Sequence, residues 1–136
     1  MKATDLINGD WVIRRGVPEE PMRVYDMKAS TGIVYLEQDG RGIAEQFYNI
    51  EPIPLTSEIL EANNFLKDPD YTETYWRPDC SKFCFVKECD DWYFAICYKG
   101  GHICIAKCNY VHKLQHILID LLGVDTEVVA RKYKTL

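Results

Sequence analysis

The residues best equipped for chemistry are six cysteines, Cys80, Cys84, Cys89, Cys97, Cys104 and Cys108, and three histidines, His102, His112 and His116, all between residues 80 and 116. Thiolate and imidazole are the donors that zinc takes up most readily, so metal binding is the first chemistry to weigh. Spacing argues against it. Structural zinc sites draw paired ligands from tight knuckles, commonly with two residues between them, whereas Cys80/Cys84 and Cys104/Cys108 are each separated by three. His112 and His116 stand one helical turn apart and make the best ligand pair, but Lys113 occupies the place where a zincin helix carries its catalytic glutamate. On a strand, Cys104, Ala106 and Cys108 share one face, and Cys97 stands two residues from Ala95, so packing as small hydrophobes is the favoured role for these thiols.

Thiol catalysis needs one cysteine activated by a histidine or a helix N-terminus, and Cys108, just before Asn109, is the best single nucleophile by that criterion. No motif supplies a base or an oxyanion hole beside it. Asp90-Asp91 reads as a hairpin turn, and Gly40-Arg41-Gly42 lacks the phosphate-loop pattern and leads into a strand. The chain is therefore expected to be no enzyme and to carry no cofactor; the alternative is a small thiol- or zinc-dependent enzyme using Cys108, His112 and His116. Trp76 and Trp92, with Tyr71, Tyr75, Tyr93 and Tyr98, could build a partner surface or stack on bases, although core packing is the commoner role of aromatics in half-buried strands.

These residues depend on a chain that reads as α+β. Short strands are expected at Trp11–Arg14, at Met22–Met27 after a Pro-bounded loop, at Ile33–Glu37, and at Ile43–Tyr48 after the turn Asp39-Gly40. This meander, opened by Leu6–Val12 (LINGDWV), suggests an SH3-like barrel by analogy. Pro52 and Pro54 make Ile50–Leu55 an extended crossing and the joint between a β subdomain, 1–54, and an α+β subdomain, 55–136, the two forming one compact unit. Thr56 or Ser57 then caps a short helix ending at Asn63-Asn64. Strands follow at Thr74–Trp76, Lys82–Lys87, Trp92–Tyr98 and Ile103–Lys107, with Lys99-Gly100-Gly101 as a tight hairpin. The spacing of Val111, Leu114, Ile117, Leu118 and Leu121 predicts a helix over Tyr110–Leu122, capped by Asn109, stopped by Gly123, packed on one face of an antiparallel sheet and followed by an extended tail, Glu127–Ala130.

The 136 residues are 47% hydrophobic with a net charge of −5, enough to bury a core and poorly suited to phosphate backbones. Neither half is basic: residues 1–56 hold 6 basic and 9 acidic groups, and only Arg131, Lys132 and Lys134 form a basic run. Nucleic acid is disfavoured as a partner. The N-terminal residues lack the apolar core of a signal peptide, and no stretch approaches a membrane span, so a cytoplasmic protein with reduced thiols is expected.

Three segments, Leu6–Val12 (LINGDWV), Ile50–Phe65 (IEPIPLTSEILEANNF) and Tyr110–Val128 (YVHKLQHILIDLLGVDTEV), resemble a family of small proteins of Bacteroides-type gut bacteria, often encoded on prophage or other mobile DNA. The resemblance runs end to end and is most specific in the PIPLT segment and the VHxLQ helix. It implies no assigned biochemical activity. The family usually has Gly where Asn64 stands and an amide where His116 stands, so the His112/His116 pair is particular to this chain. His112, Leu114 and Gln115 match the pattern; they either tie the helix to the sheet or face a partner. A non-enzymatic binding or adaptor protein of a mobile element is expected, monomeric or a small homo-oligomer, with an unknown protein partner.

Overall fold

The computed structural model describes residues 5–71, 73–98, 101–123, 127, 128 and 130. Two compact units are present: one built on the chain up to Ile53 together with Tyr110–His112, the other on Pro54–Asn109 and the chain from Lys113 onward. The described residues form a mostly-β α+β fold of two five-stranded antiparallel sheets and a C-terminal helix.

In the first unit the strands are β1 (Trp11–Arg14), β2 (Val17–Lys28), β3 (Ile33–Gln38), β4 (Arg41–Gln46) and β5 (Ile50–Pro52), in the order β4-β3-β2-β1-β5. Apolar residues on alternate positions, Val12, Met22, Val24, Val34 and Leu36, gather with Leu6 and Ile50 into its core. The meander was readable from its turns: Asp39 and Gly40 both take positive φ, 52° and 81°, the geometry that suits a two-residue hairpin to strand twist. The barrel expectation is corrected, because β4 and β5 remain open edges and no closed barrel is found among the described residues.

The loop expected around Pro18 and Pro21 is also corrected, since β2 runs straight through it. Val12 faces Met22 while Arg14 faces Val17, so two steps on β1 match five on β2. Pro18–Pro21, four residues against the single Ile13, have no ladder partner on β1, and a missing N–H costs nothing outside the ladder.

The LINGDWV segment is a turn locked by Asp10, which is 1% exposed. Its Oδ2 accepts the Ile7 N–H at 2.9 Å, its own N–H donates to the Ile7 carbonyl at 3.1 Å, and its carbonyl accepts from Val24 at 2.9 Å. Gly9, at φ 98°, supplies the conformation that lets its N–H donate to the Val24 carbonyl. Asp10→Ala removes a buried side-chain acceptor from the part-buried Ile7 N–H and should cost about 1–2 kcal/mol in a urea melt; a loss within about 0.5 kcal/mol would show the turn to be held by its backbone alone.

In the second unit, helix α1 (Ser57–Ala62) starts as expected: the Thr56 side chain accepts from the Ile59 N–H at 3.2 Å, and Asn64 takes φ 70° just beyond the helix end. The sheet runs in sequence order, β6 (Leu66–Lys67), β7 (Thr74–Trp76), β8 (Phe83–Glu88), β9 (Asp91–Tyr98) and β10 (Gly101–Lys107). The two-residue β6 is too short to leave a pattern in the sequence. Of the expected Lys99-Gly100-Gly101 hairpin, Lys99 and Gly100 lie outside the described residues, as does the basic run after Ala130.

Helix α2 (Val111–Leu122) buries Val111, Leu114 and Leu118 completely and ends where Gly123, at φ 109°, donates its N–H to the Ile119 carbonyl. Asn109 does not serve as its cap. The amide is taken elsewhere: Oδ1 accepts the Trp92 N–H at 2.7 Å and Nδ2 donates to Asp91 at 2.9 Å. Of the expected tail, Glu127, Val128 and Ala130 carry no regular secondary structure, Val128 and Ala130 are buried, and Val129 lies outside the described residues.

Candidate functional site

Cross-strand pairing sorts the second sheet into two faces, because directly opposed residues point the same way. Phe85 faces Phe94 and Tyr75, Phe83 faces Ile96, and Ile96 faces Ile103, which makes one face aromatic and aliphatic. Phe65 meets Phe85 edge-on with ring centroids 5.4 Å apart, and Tyr75 meets Trp92 at 5.8 Å. The other face carries small residues in the middle, with Cys84 opposite Ala95 and Ala95 opposite Cys104. It is flanked by Val86, Glu88, Cys97 and His102 at the alternate positions.

That second face bends over itself. Glu88 pairs with Asp91 at one end of β9 and His102 with Cys97 at the other, about 20 Å apart on a flat strand. Yet His102 Nε2 lies 2.9 Å from Glu88 Oε2. Only a strongly coiled sheet brings those corners together. A bulge between Cys104 and Ala106 adds twist on β10. Cys84, Val86 and Ala95 are consequently dry, packed on one another and on half-buried Trp76.

At the rim of this coil the ligand atoms of Glu88, His102 and Cys104 lie within 4.8 Å of one another, the only such group of three or more His, Cys, Asp or Glu side chains among the described residues. The Cys104 thiol stands 4.0 Å from Glu88 Oε1; partial desolvation, and then the Glu88 charge, raise it above the ordinary thiol range. Glu88 was missed in the sequence. His102-x-Cys104, two donors on one strand face, was the signal that could have directed attention to it.

The residues singled out in the sequence fall elsewhere. His112, Leu114, Gln115 and Trp92 are all buried and Trp76 half-buried, with His112 stacked on Tyr110 at 5.9 Å between centroids. Cys108, His112 and His116 are not brought together as a three-ligand cluster among the described residues. Cys108 is corrected as a nucleophile: its side chain is inaccessible, and burial pushes its thiol up to about 12, outweighing the opposing pull of Lys113. A helix N-terminus cannot activate a thiol that water does not reach.

A second feature is the outer edge of β10. Proteins blunt open edges with charge, proline or brevity. Here β4 carries Arg41 and Glu45, β5 is three residues ending in Pro52, and β6 is two residues long. β10 has seven residues, and six of them are exposed. Its one lysine, Lys107, is engaged by Asp91 at 3.5 Å. The apolar row Phe83–Ile96–Ile103 runs across three strands to this edge, with Ile96 38% and Ile103 56% exposed, and Ile105 stands 51% exposed at the bulge. Among the described residues, no helix is long and apolar enough to cross a membrane. No protein-family model, no curated protein and no solved structure matches the chain.

Proposed function

We propose that the chain is a non-enzymatic binding or adaptor protein that takes an extended segment of another protein onto the outer edge of β10. The observation that carries this reading is the long, exposed edge of β10, unpaired by any strand among the described residues, where the apolar row ends. An added strand would satisfy the outward backbone groups of Gly101–Cys104 and cover Ile103 with an apolar side chain of its own. The net charge of −5 selects a partner that is basic overall and opposes pairing with a second copy of the chain. The resemblance drawn from the PIPLT and VHxLQ segments supports a place on a mobile element.

The finer description of the first unit as SH3-like rests on its connectivity. Four strands meander, a single 3-10 turn at Phe47–Asn49 follows, and the fifth strand returns to pair with the first. The long, irregular β2 pairs with β1 and with β3 on its two sides.

The test is affinity purification of tagged wild-type protein and Ile103→Lys from native cells at moderate salt, with proteins, nucleic acid and metal quantified together. An edge lysine opposes strand addition, and at a site 56% exposed it leaves the fold intact. The expected result is a stoichiometric, basic partner held by the wild type and weakened at least about tenfold by the substitution. Retention by both proteins would place binding elsewhere. A dimer that the substitution dissolves would make the occupant a second copy.

A further inference from the structure

We propose that Glu88, His102 and Cys104 form a binding site for a divalent transition-metal ion of the zinc class. The donors come from the two elements that the coiled sheet brings together: the end of β8 supplies a carboxylate, and alternate positions of β10 supply imidazole and thiolate on one face. Glu88 already engages both others, His102 at 2.9 Å and Cys104 at 4.0 Å. Ligand atoms around a tetrahedral zinc ion lie about 3.3–3.8 Å apart, given bonds of about 2.0–2.3 Å. The observed separations, from 2.9 Å for the Glu88–His102 pair to no more than 4.8 Å, bracket that spacing.

Donor chemistry sets the class of ion. Sulfur and nitrogen beside a single carboxylate favour zinc, cobalt or nickel over magnesium and calcium, which require oxygen shells. Three protein ligands leave at least one coordination position open, and the exposure of Glu88 and Cys104 gives solvent access to it. Uptake of the ion breaks the Cys104 S–H bond, forms a metal–sulfur bond and releases the proton to solvent.

The site does not depend on the partner reading, and its test uses the purified, reduced full chain titrated with Co(II) and then Zn(II). The expected result is one Co(II) per chain, a thiolate-to-cobalt charge-transfer band in the near ultraviolet, and loss of that band when Zn(II) displaces the cobalt. Cys104→Ser abolishes the band, and Glu88→Gln and His102→Gln each weaken binding at least about tenfold. Cys89→Gly and His116→Gln leave it unchanged. Since Glu88 and Cys104 are exposed and His102 is only partly covered, these variants keep their fold, which circular dichroism verifies. Zn(II)-dependent shifts of the His102 ring resonances report on the site without any substitution. No binding at micromolar metal overturns the proposal, as does a band that survives Cys104→Ser or disappears with Cys97→Ser instead.

Discussion

Phe85→Ala should cost the protein about 3–5 kcal/mol, the largest loss expected from any single truncation on the second sheet. Phe85 is 1% exposed and central to its face, edge-on to Phe65 at 5.4 Å, tilted against Phe94 at 5.5 Å and opposite Tyr75 across the ladder. Removing it leaves a cavity walled by three other rings, which cannot collapse without moving two strands and the segment after α1. For a chain of this size the loss corresponds to a fall in melting temperature of about 10–20 °C. Phe83, half-buried one step towards the open end of the same face, should cost clearly less. Equal losses would mean that the aromatic row is not centred on Phe85.

Thiol labelling should separate four of the six cysteines sharply at pH 7. Cys84 and Cys108 are buried, and their thiols are pushed up to about 12, in Cys84 by desolvation first and then by the hydrogen-bonded Cys97. Against the ordinary thiol value of 9.0 this lowers the thiolate fraction about a thousandfold, before access is considered. Cys89 and Cys97, both exposed, should react in the native state, whereas Cys84 and Cys108 should react only on unfolding. The same burial acts on stability. A thiol whose folded value is raised contributes fully below pH 9, and that contribution is lost as pH rises towards 12, at about 1.4 kcal/mol per unit for Cys108. Rapid labelling of Cys108 in native protein would restore it as a nucleophile.

What the sequence revealed and what it concealed follow from the range of each interaction. Turn chemistry is local, so Asp39-Gly40, a cap at Thr56 or Ser57, Asn64 and Gly123 could be read directly. The course of β2 could not, because Pro18 and Pro21 normally end a strand and only the surplus of residues against β1 accommodates them. Asn109 misled for a similar reason: its amide had a local use as a cap and found a better one at Trp92, 17 positions away. Glu88 was invisible as a ligand because its meeting with His102 and Cys104 depends on curvature, which small residues such as Ala95 permit and no spacing rule records. The exposed edge of β10 was equally hidden, since an apolar strand of five to seven residues reads as buried until its neighbours are known.

Connectivity also orders the assembly of the chain. The second sheet joins only strands adjacent in sequence, so it can zip up from the Cys89-Asp90 hairpin with little loop entropy lost at each step. The first unit cannot finish so early. β5 must return to β1, and Ile53 then waits for Val111, whose N–H donates to its carbonyl at 2.9 Å, with Tyr110–His112 counted among the residues of that unit. During synthesis the N-terminal unit, although its sheet is made first, therefore remains incomplete until residue 112 has left the ribosome.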